Sequence, residues 1–223
     1  SLEYREAAPK PNRPDRLGAE SILFVDSHVL VAIKPSGILT VPFEKGDKGT
    51  FDQQLRSYLA KTGPKAAKRR GAMPALMIVH RLDRGASGVM VFARTWTAKQ
   101  GLASQFRQHS PTRQYLALVH GHAASGTIES HLLDDRGDGI RGSSESSPHA
   151  KVRRSGRGRR ALTHVECLQK LDGASLISCR LETGRTNQIR IHLSERGHPL
   201  LGETTYMRDF KGKRIQAERL MLH

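Results

Sequence analysis

Cysteine is nearly absent from this 223-residue chain: two residues, alongside one tryptophan and 5% aromatic residues in all. Cys167 and Cys179 each lie in an apolar, strand-like run, which argues against a disulfide-stapled scaffold or a cysteine-ligated zinc and for buried thiols in a reducing compartment. Long apolar runs are missing as well. Ile22 to Val25 and Val29 to Ile33 fall far short of the roughly 20 residues that span a bilayer, so no membrane segment is expected. Residues 1–20 hold Pro9, Pro11 and Pro14 with Glu3, Glu6, Asp15 and Glu20, unlike the apolar core of a signal peptide or the acid-poor stretch of a transit peptide. A polar N-terminal extension over residues 1–20, one domain over 21–223, and a cytoplasmic location are the expectations. Acid is scarce too. With 21 Asp and Glu against 37 Lys and Arg, the formal charge is +16, which points to a polyanion as partner and to salt-dependent nucleic-acid binding, without distinguishing DNA from RNA.

What is present is a succession of short strands with helices between them. Ile22 to Val25 and Val29 to Ile33 flank Asp26-Ser27-His28 as a hairpin, which Lys34-Pro35-Ser36-Gly37 then breaks. Thr50 and Gln53 have capping-box spacing for a helix to about Ala60, with Leu55 and Leu59 on its buried stripe. Val89 to Ala93 reads as a buried strand, Thr95 opens a helix carrying Leu102 and Phe106, and Tyr115 to Val119 is a further strand. Thr163 to Leu171 and Ser175 to Leu181 flank Asp172-Gly173, a hairpin turn. Thr186 is placed to cap a short helix bearing Ile189 and Leu193, which Gly197 stops. Two polar stretches interrupt the pattern and read as long loops: 61–74, basic throughout, and 134–160, mixed in charge at first and basic over 150–160. The fold class expected is α+β, a mixed and largely antiparallel sheet with flanking helices. No internal repeat is seen.

The chemistry concentrates at His80-Arg81-Leu82-Asp83, in a turn rich in small residues between two apolar runs. By itself, an aspartate between Arg81 and Arg84 reads as an ion pair or turn cap as readily as a nucleophile. No second carboxylate nearby in sequence makes an acid/base pair. His120-x-His122 lacks a third ligand at a recognisable spacing and reads as strand-end histidines, so no metal is expected.

Val79 to Ala93 resembles the active-site motif of the RluA-type RNA pseudouridine synthases, HRLD followed by two variable residues and Thr-Ser-Gly, with Ala86 in place of the threonine. Ile22 to Val41 resembles the family's opening hairpin and Lys-Pro-x-Gly turn. Arg113-Gln114-Tyr115-Leu116-Ala117 is similar to its tyrosine-bearing segment, and Thr183-Gly184-Arg185-Thr186-Asn187-Gln188-Ile189-Arg190 to its Thr-Gly-Arg-Thr-His-Gln-Ile-Arg motif, with Asn187 in place of the histidine. Gly197-His198-Pro199-Leu200-Leu201-Gly202 follows. The four motifs occur in the family's order from about residue 21 to His223. The resemblance also implies a strand after Leu222-His223, hence a C-terminal end cut short, and leaves RNA affinity to the catalytic domain and its basic loops.

The resemblance implies isomerisation of uridine to pseudouridine in ribosomal or transfer RNA, which requires no cofactor because no redox change or external energy is involved. Asp83 is implied as the catalytic carboxylate. Tyr115 would stack on the uracil or assist proton movement, and Arg190 would hold Asp83 ionised against burial. Arg81 would fill the space left by a flipped nucleotide or touch phosphate. His80, Lys34 and Arg185 are expected on the substrate side, contacting phosphate or bracing the site. The basic stretches would clamp the RNA backbone. A monomer without an obligate protein partner is expected. The competing expectation is a non-catalytic RNA-binding or ribosome-assembly protein on the same fold, suggested by the charge and by Ala86 and Asn187; a DNA-binding protein is the remoter one.

Overall fold

A computed structural model describes residues 17–62, 75–147, 149 and 158–223. The hairpin forms as the sequence implies: β1 (Ile22–Val25) and β2 (Val29–Lys34) pair antiparallel, with Val25 opposite Leu30. Its turn is held by Asp26, whose carboxylate accepts from the amides of His28 and Val29, both at 2.7 Å. Along β2 the residues alternate, so Leu30, Ala32 and Lys34 face inward. Helix α1 (Phe51–Thr62) covers that face with Phe51, Leu55 and Leu59. Strands β3 (Met77–Ile78) and β4 (Gly88–Ala93) complete a sheet in the order β1-β2-β4-β3. Met90 and Phe92 of β4 join the same core.

After α2 (Trp96–Arg107), five strands build a second sheet: β5 (Gln114–His120), β6 (Gly126–Leu133), β7 (Gly142–Ser143), β8 (Arg159–Leu171) and β9 (Ala174–Leu181), in the order β5-β9-β8-β6-β7. Helix α3 (Gln188–Glu195) lays Ile189 and Leu193 on Val119, Ile177, Cys179 and Leu200. The expected largely antiparallel sheet is therefore two sheets, and every strand pairing in them is antiparallel.

Residues 220–223 join the two. Leu222 accepts from the Ser87 amide at 3.0 Å, Met221 accepts from the Leu118 amide at 3.1 Å, and Leu116 and His223 exchange backbone bonds at 2.7 and 2.9 Å. The loop that carries Asp83 is thus tied to the strand that carries Tyr115. Gly202 makes a nearby crossing possible: its φ is 76°, and a Cβ there would lie 1.9 Å from the Arg219 carbonyl oxygen, a backbone approach that glycine alone permits.

Several local expectations are corrected. Gln53 accepts from the amide of Gly49 instead of that of Thr50, and the Thr50 hydroxyl donates to Asp52, so the capping box is not the one its spacing suggested. The residue preceding α3 is Asn187, not Thr186; it has a φ of 57° and makes no side-chain cap. Cys179 is buried, but Cys167 is only half-buried, beside a register shift in β8. Residues 63–74, 148 and 150–157 lie outside the described residues, so the basic loops are described only in part. What is described of 134–160 is not an open loop. Ser143, Ser144, Ser147 and Arg136 are buried, while Arg159 and Arg160 belong to β8.

Lys34 is fully buried. Its ammonium donates to the carbonyls of Pro35 and Ile38, both at 2.9 Å, and of Arg84 at 3.3 Å, which pins the Lys-Pro-Ser-Gly turn to the Asp83 loop. Burial draws its pKa down to about 8, with Asp83 opposing. Replacing it by methionine leaves those three carbonyls without that donor, and the expected cost is about 2–3 kcal/mol, read as a lower midpoint in urea unfolding. An unchanged midpoint would contradict the bracing role.

Candidate active site

The loop between β3 and β4 is held at nearly every residue. β3 is only two residues long, so it leaves the Val91 amide of β4 unpaired, and His80 Nε2 accepts it at 3.1 Å. The His80 ring stacks on Phe106, 4.5 Å between centroids. Burial, and secondarily Arg113, lowers its pKa to about 4, as an imidazole that accepts a backbone hydrogen bond requires. The Thr40 hydroxyl donates to the Leu82 carbonyl at 3.0 Å and accepts from the Leu82 amide at 3.2 Å. The Ser36 hydroxyl donates to the Gly85 carbonyl and the Gly37 amide to that of Arg84. Ala86 is buried in the core that includes Leu220 and Leu222, so a methyl suits the position, and the turn is fastened by Ser36, Gly37 and Ser87.

Asp83 lines a cavity of about 320 Å³ together with His80, Arg81, Tyr115, Arg185 and Asn187, among others. It is the one carboxylate in that wall, and Arg81, Arg113 and Arg185 are the cations facing the same space. The structure therefore brings Asp83, Tyr115, Arg81, His80 and Arg185 together. Arg81 is exposed and forms no hydrogen bond or ion pair among the described residues, whereas Arg185 uses Nε on the Arg160 carbonyl at 3.0 Å. Lys34 does not line the cavity; its ammonium is engaged by the carbonyls of Pro35, Ile38 and Arg84. His80 shows the cavity a ring whose Nε2 is already engaged.

Arg190 stands behind Asp83, outside the lining, with Nη1 4.0 Å from Asp83 Oδ2. Its stronger partner is Glu203, which accepts from Nε and Nη2, each at 2.7 Å. Asn187 Oδ1 accepts from Nη1 at 3.1 Å, and the guanidinium carbon lies 5.1 Å from the centre of the Tyr206 ring. Arg190 acts against burial at Asp83 in the direction expected, but it is the smaller influence. Burial is the largest influence and raises the Asp83 pKa; Arg190, Arg81 and Lys34 pull it down, and Glu203 pushes it up. The net direction is upward. Tyr115 is shifted upward as well, by burial first, with Arg113 opposing.

Sequence reasoning missed Glu203, Asn187 as a ligand of Arg190, and Arg113 as a cavity cation. Glu203 directly follows the Gly197 to Gly202 segment, and an acid closing that segment was the available signal. The two non-glycine residues with positive φ among the described residues, His109 and Asn187, both line this cavity. Such conformations collect at functional sites. Beneath Asn187, the Gln188 amide donates to the Leu162 carbonyl and the Thr163 hydroxyl, and its oxygen accepts from Thr183 and the Arg185 amide. This network fastens the start of α3 to β8. Among the described residues, no group of three or more His, Cys, Asp or Glu is placed to hold a metal, and no helix is long and apolar enough to cross a membrane.

A family model described as RNA pseudouridylate synthase matches residues 28–195. The ribosomal large subunit pseudouridine synthase D of Zymomonas mobilis is 39% identical over 204 residues, covering 91% of this chain and 60% of that protein. The protein of the same name in Xylella fastidiosa is 35% identical over 190 residues, covering 83% and 51%. The chain thus spans about half to three-fifths of the length of these curated relatives. Human RNA pseudouridylate synthase domain containing 1 shares the fold, with a TM-score of 0.73 at 24% identity over 96% of this chain and 79% of its own.

Glu203→Gln removes a like charge that raises the Asp83 pKa and frees Arg190 to turn toward it. Both changes favour the ionised carboxylate, so the Asp83 titration, followed by carboxyl carbon NMR, is expected to move to lower pH. A midpoint that stays in place would show that Glu203 does not govern Arg190.

Proposed function

The chain belongs to the RNA pseudouridylate synthase family, and on that premise we propose that it isomerises uridine to pseudouridine in RNA, with Asp83 as the reacting carboxylate. The observation that carries this reading is the cavity whose single acid is Asp83, lined by Tyr115 and by apolar side chains, with Arg81, Arg113 and Arg185 as its cations. The reaction breaks the bond from N1 to the ribose C1′, turns the uracil, and forms a bond from C5 to the same carbon, while the C5 hydrogen is lost as a proton and N1 gains one. Electrons balance without an oxidant or reductant. An electron pair on Asp83 serves attack on the sugar, addition to the ring, or proton removal equally well, and each requires the ionised form. The raised pKa makes the carboxylate a better nucleophile and base than an exposed aspartate while Arg190, Arg81 and Lys34 keep the ionised form within reach. Tyr115 presents a ring face for the uracil and a hydroxyl that stays protonated. Arg81, without a partner among the described residues, is the side chain free to enter the space of a flipped base.

For the substrate we favour large-subunit ribosomal RNA over transfer RNA, on the support of the relatives' names; a ribosomal substrate agrees with a cytoplasmic enzyme. Residues 21–223 are read as one catalytic unit, since residues 220–223 clasp both sheets.

Incubation with unmodified ribosomal RNA followed by chemical labelling and primer extension should reveal pseudouridine with the wild-type chain and none with Asp83→Asn. Modification by the Asn variant at the wild-type rate would overturn the assignment. A second readout is independent of RNA. A carboxyl whose folded-state pKa is raised contributes stability fully present below the unfolded value of 3.8 and lost as pH rises through the folded value. At pH 7 the ionised Asp83 is therefore a burden, and Asp83→Asn should melt higher than wild type, with the difference shrinking as the pH falls toward 3.8.

A further inference from the structure

Beside the Asp83 cavity lies a second, of about 420 Å³, and the two share His109, Leu181 and Arg185 in their walls. The second is built by the turn from His109 to Thr112, by Arg160 and Arg180 on β8 and β9, and by Glu182, Thr183 and Arg185. Its volume falls within the roughly 300–1,000 Å³ of ordinary ligand sites.

The charges around it are unevenly matched. Glu182 is its one acid, and that carboxylate lies 2.6 Å from His164 Nε2. Arg160 is neutralised by Glu129 at 2.6 Å. Arg180 forms no side-chain hydrogen bond or ion pair among the described residues, and Arg185 uses only Nε. Two guanidinium groups with free donors therefore face a cavity that adjoins the reacting one across His109, Leu181 and Arg185. His109, at φ 55°, sits on the shared rim, where its Nδ1 lies 3.3 Å from Arg113 Nη2. Arg113 in turn donates to the Glu182 carbonyl at 2.8 Å. The wall between the cavities is thus braced from both sides. No Phe, Tyr or Trp lines the second cavity, and His109 on the shared rim is its one aromatic ring. What it offers is charge and a fork of planar donors that matches a phosphodiester.

We propose that this second cavity seats the nucleotide adjoining the target uridine, with the phosphodiester between them held by Arg180 and Arg185. The inference rests on the reading that the Asp83 cavity takes a uridine of RNA, and it adds where the neighbouring nucleotide goes. Because contacts to phosphate position the strand without reading it, the identity of the neighbouring base is expected to matter little. Its phosphate is expected to matter a great deal.

The test uses the full chain with Arg180→Ala and Arg180→Lys, and with Lys170→Ala on the far end of β8 as a control for general charge. RNA affinity and steady-state kinetics are measured with substrates that carry a single uncharged methylphosphonate at each position near the target. Arg180→Ala should raise both Kd and KM about tenfold, hold kcat within about twofold, and reduce the slope of log affinity against log salt by about one. Arg180→Lys should recover part of the loss, and Lys170→Ala should resemble wild type. One methylphosphonate beside the target should weaken wild-type binding by a similar factor and have no further effect on Arg180→Ala. The proposal is overturned if Arg180→Ala binds RNA as Lys170→Ala does, or if that methylphosphonate costs Arg180→Ala as much as wild type. A wild-type chain that forms no pseudouridine, yet loses RNA affinity in this Arg180-dependent way, would remove the catalytic reading and leave the phosphate seat standing.

Discussion

The charge of Asp83 is governed in part by a pair that does not line the cavity, Arg190 with Glu203. The Glu203 carboxylate is fully buried, and besides both guanidinium contacts its Oε1 accepts from the amides of Thr204, Thr205 and Tyr206. A buried charge is tolerable when its lone pairs are filled in this way. Arg190 is consequently shared unequally. Its two short bonds go to Glu203, and Asp83 receives a single contact at 4.0 Å. A tighter Arg190–Asp83 bond would stabilise the carboxylate and dull it. The longer contact leaves burial dominant, which keeps Asp83 basic.

Much of this was legible in the sequence where the cause is local. The β1–β2 hairpin follows from an aspartate placed to cap its own turn, and Asp172-Gly173 marks the β8–β9 turn for a similar reason, with Gly173 at φ 65°. Thr95 caps α2 through the Ala98 amide, as its position suggested. The alignment of Asp83 with Tyr115 was legible only through resemblance, because folding brings them together from separate sheets. The arrangement of Asn187 and the burial of Lys34 were not legible, and Glu203 showed only as an acid closing the Gly197 to Gly202 segment. A lysine at the end of an alternating strand looks solvated until the loop that supplies its three acceptors is in place. The capping box failed for the opposite reason: the spacing was right, but the Thr50 hydroxyl donates to Asp52 and the Gln53 oxygen accepts from the Gly49 amide.

Charge shows the same distance between composition and surface. Within the polar segment 134–160, Arg136 and Arg208 bind Asp138, Arg141 binds Asp134, and Arg160 binds Glu129. Asp138 is held by these arginines at about pKa 2. Cations that bind acids of their own chain contribute little to an RNA track. Among the described residues, the cations near the site without an acid of their own include Arg81, Arg180 and Arg185.

The clasp at residues 220–223 bears on when the chain becomes competent. The bond between Ser87 and Leu222 closes a separation of 135 residues, and contacts of such range form late because their loop entropy must be met before they stabilise anything. The first sheet, with its Asp83 loop braced by Lys34, can form while the second is still being synthesised. A ribosome-bound chain that has not yet released Leu222 carries the whole motif but lacks the tie that sets it against Tyr115. A chain in which only the strands of the two sheets have formed therefore holds Asp83 and Tyr115 without the bonds that set one against the other.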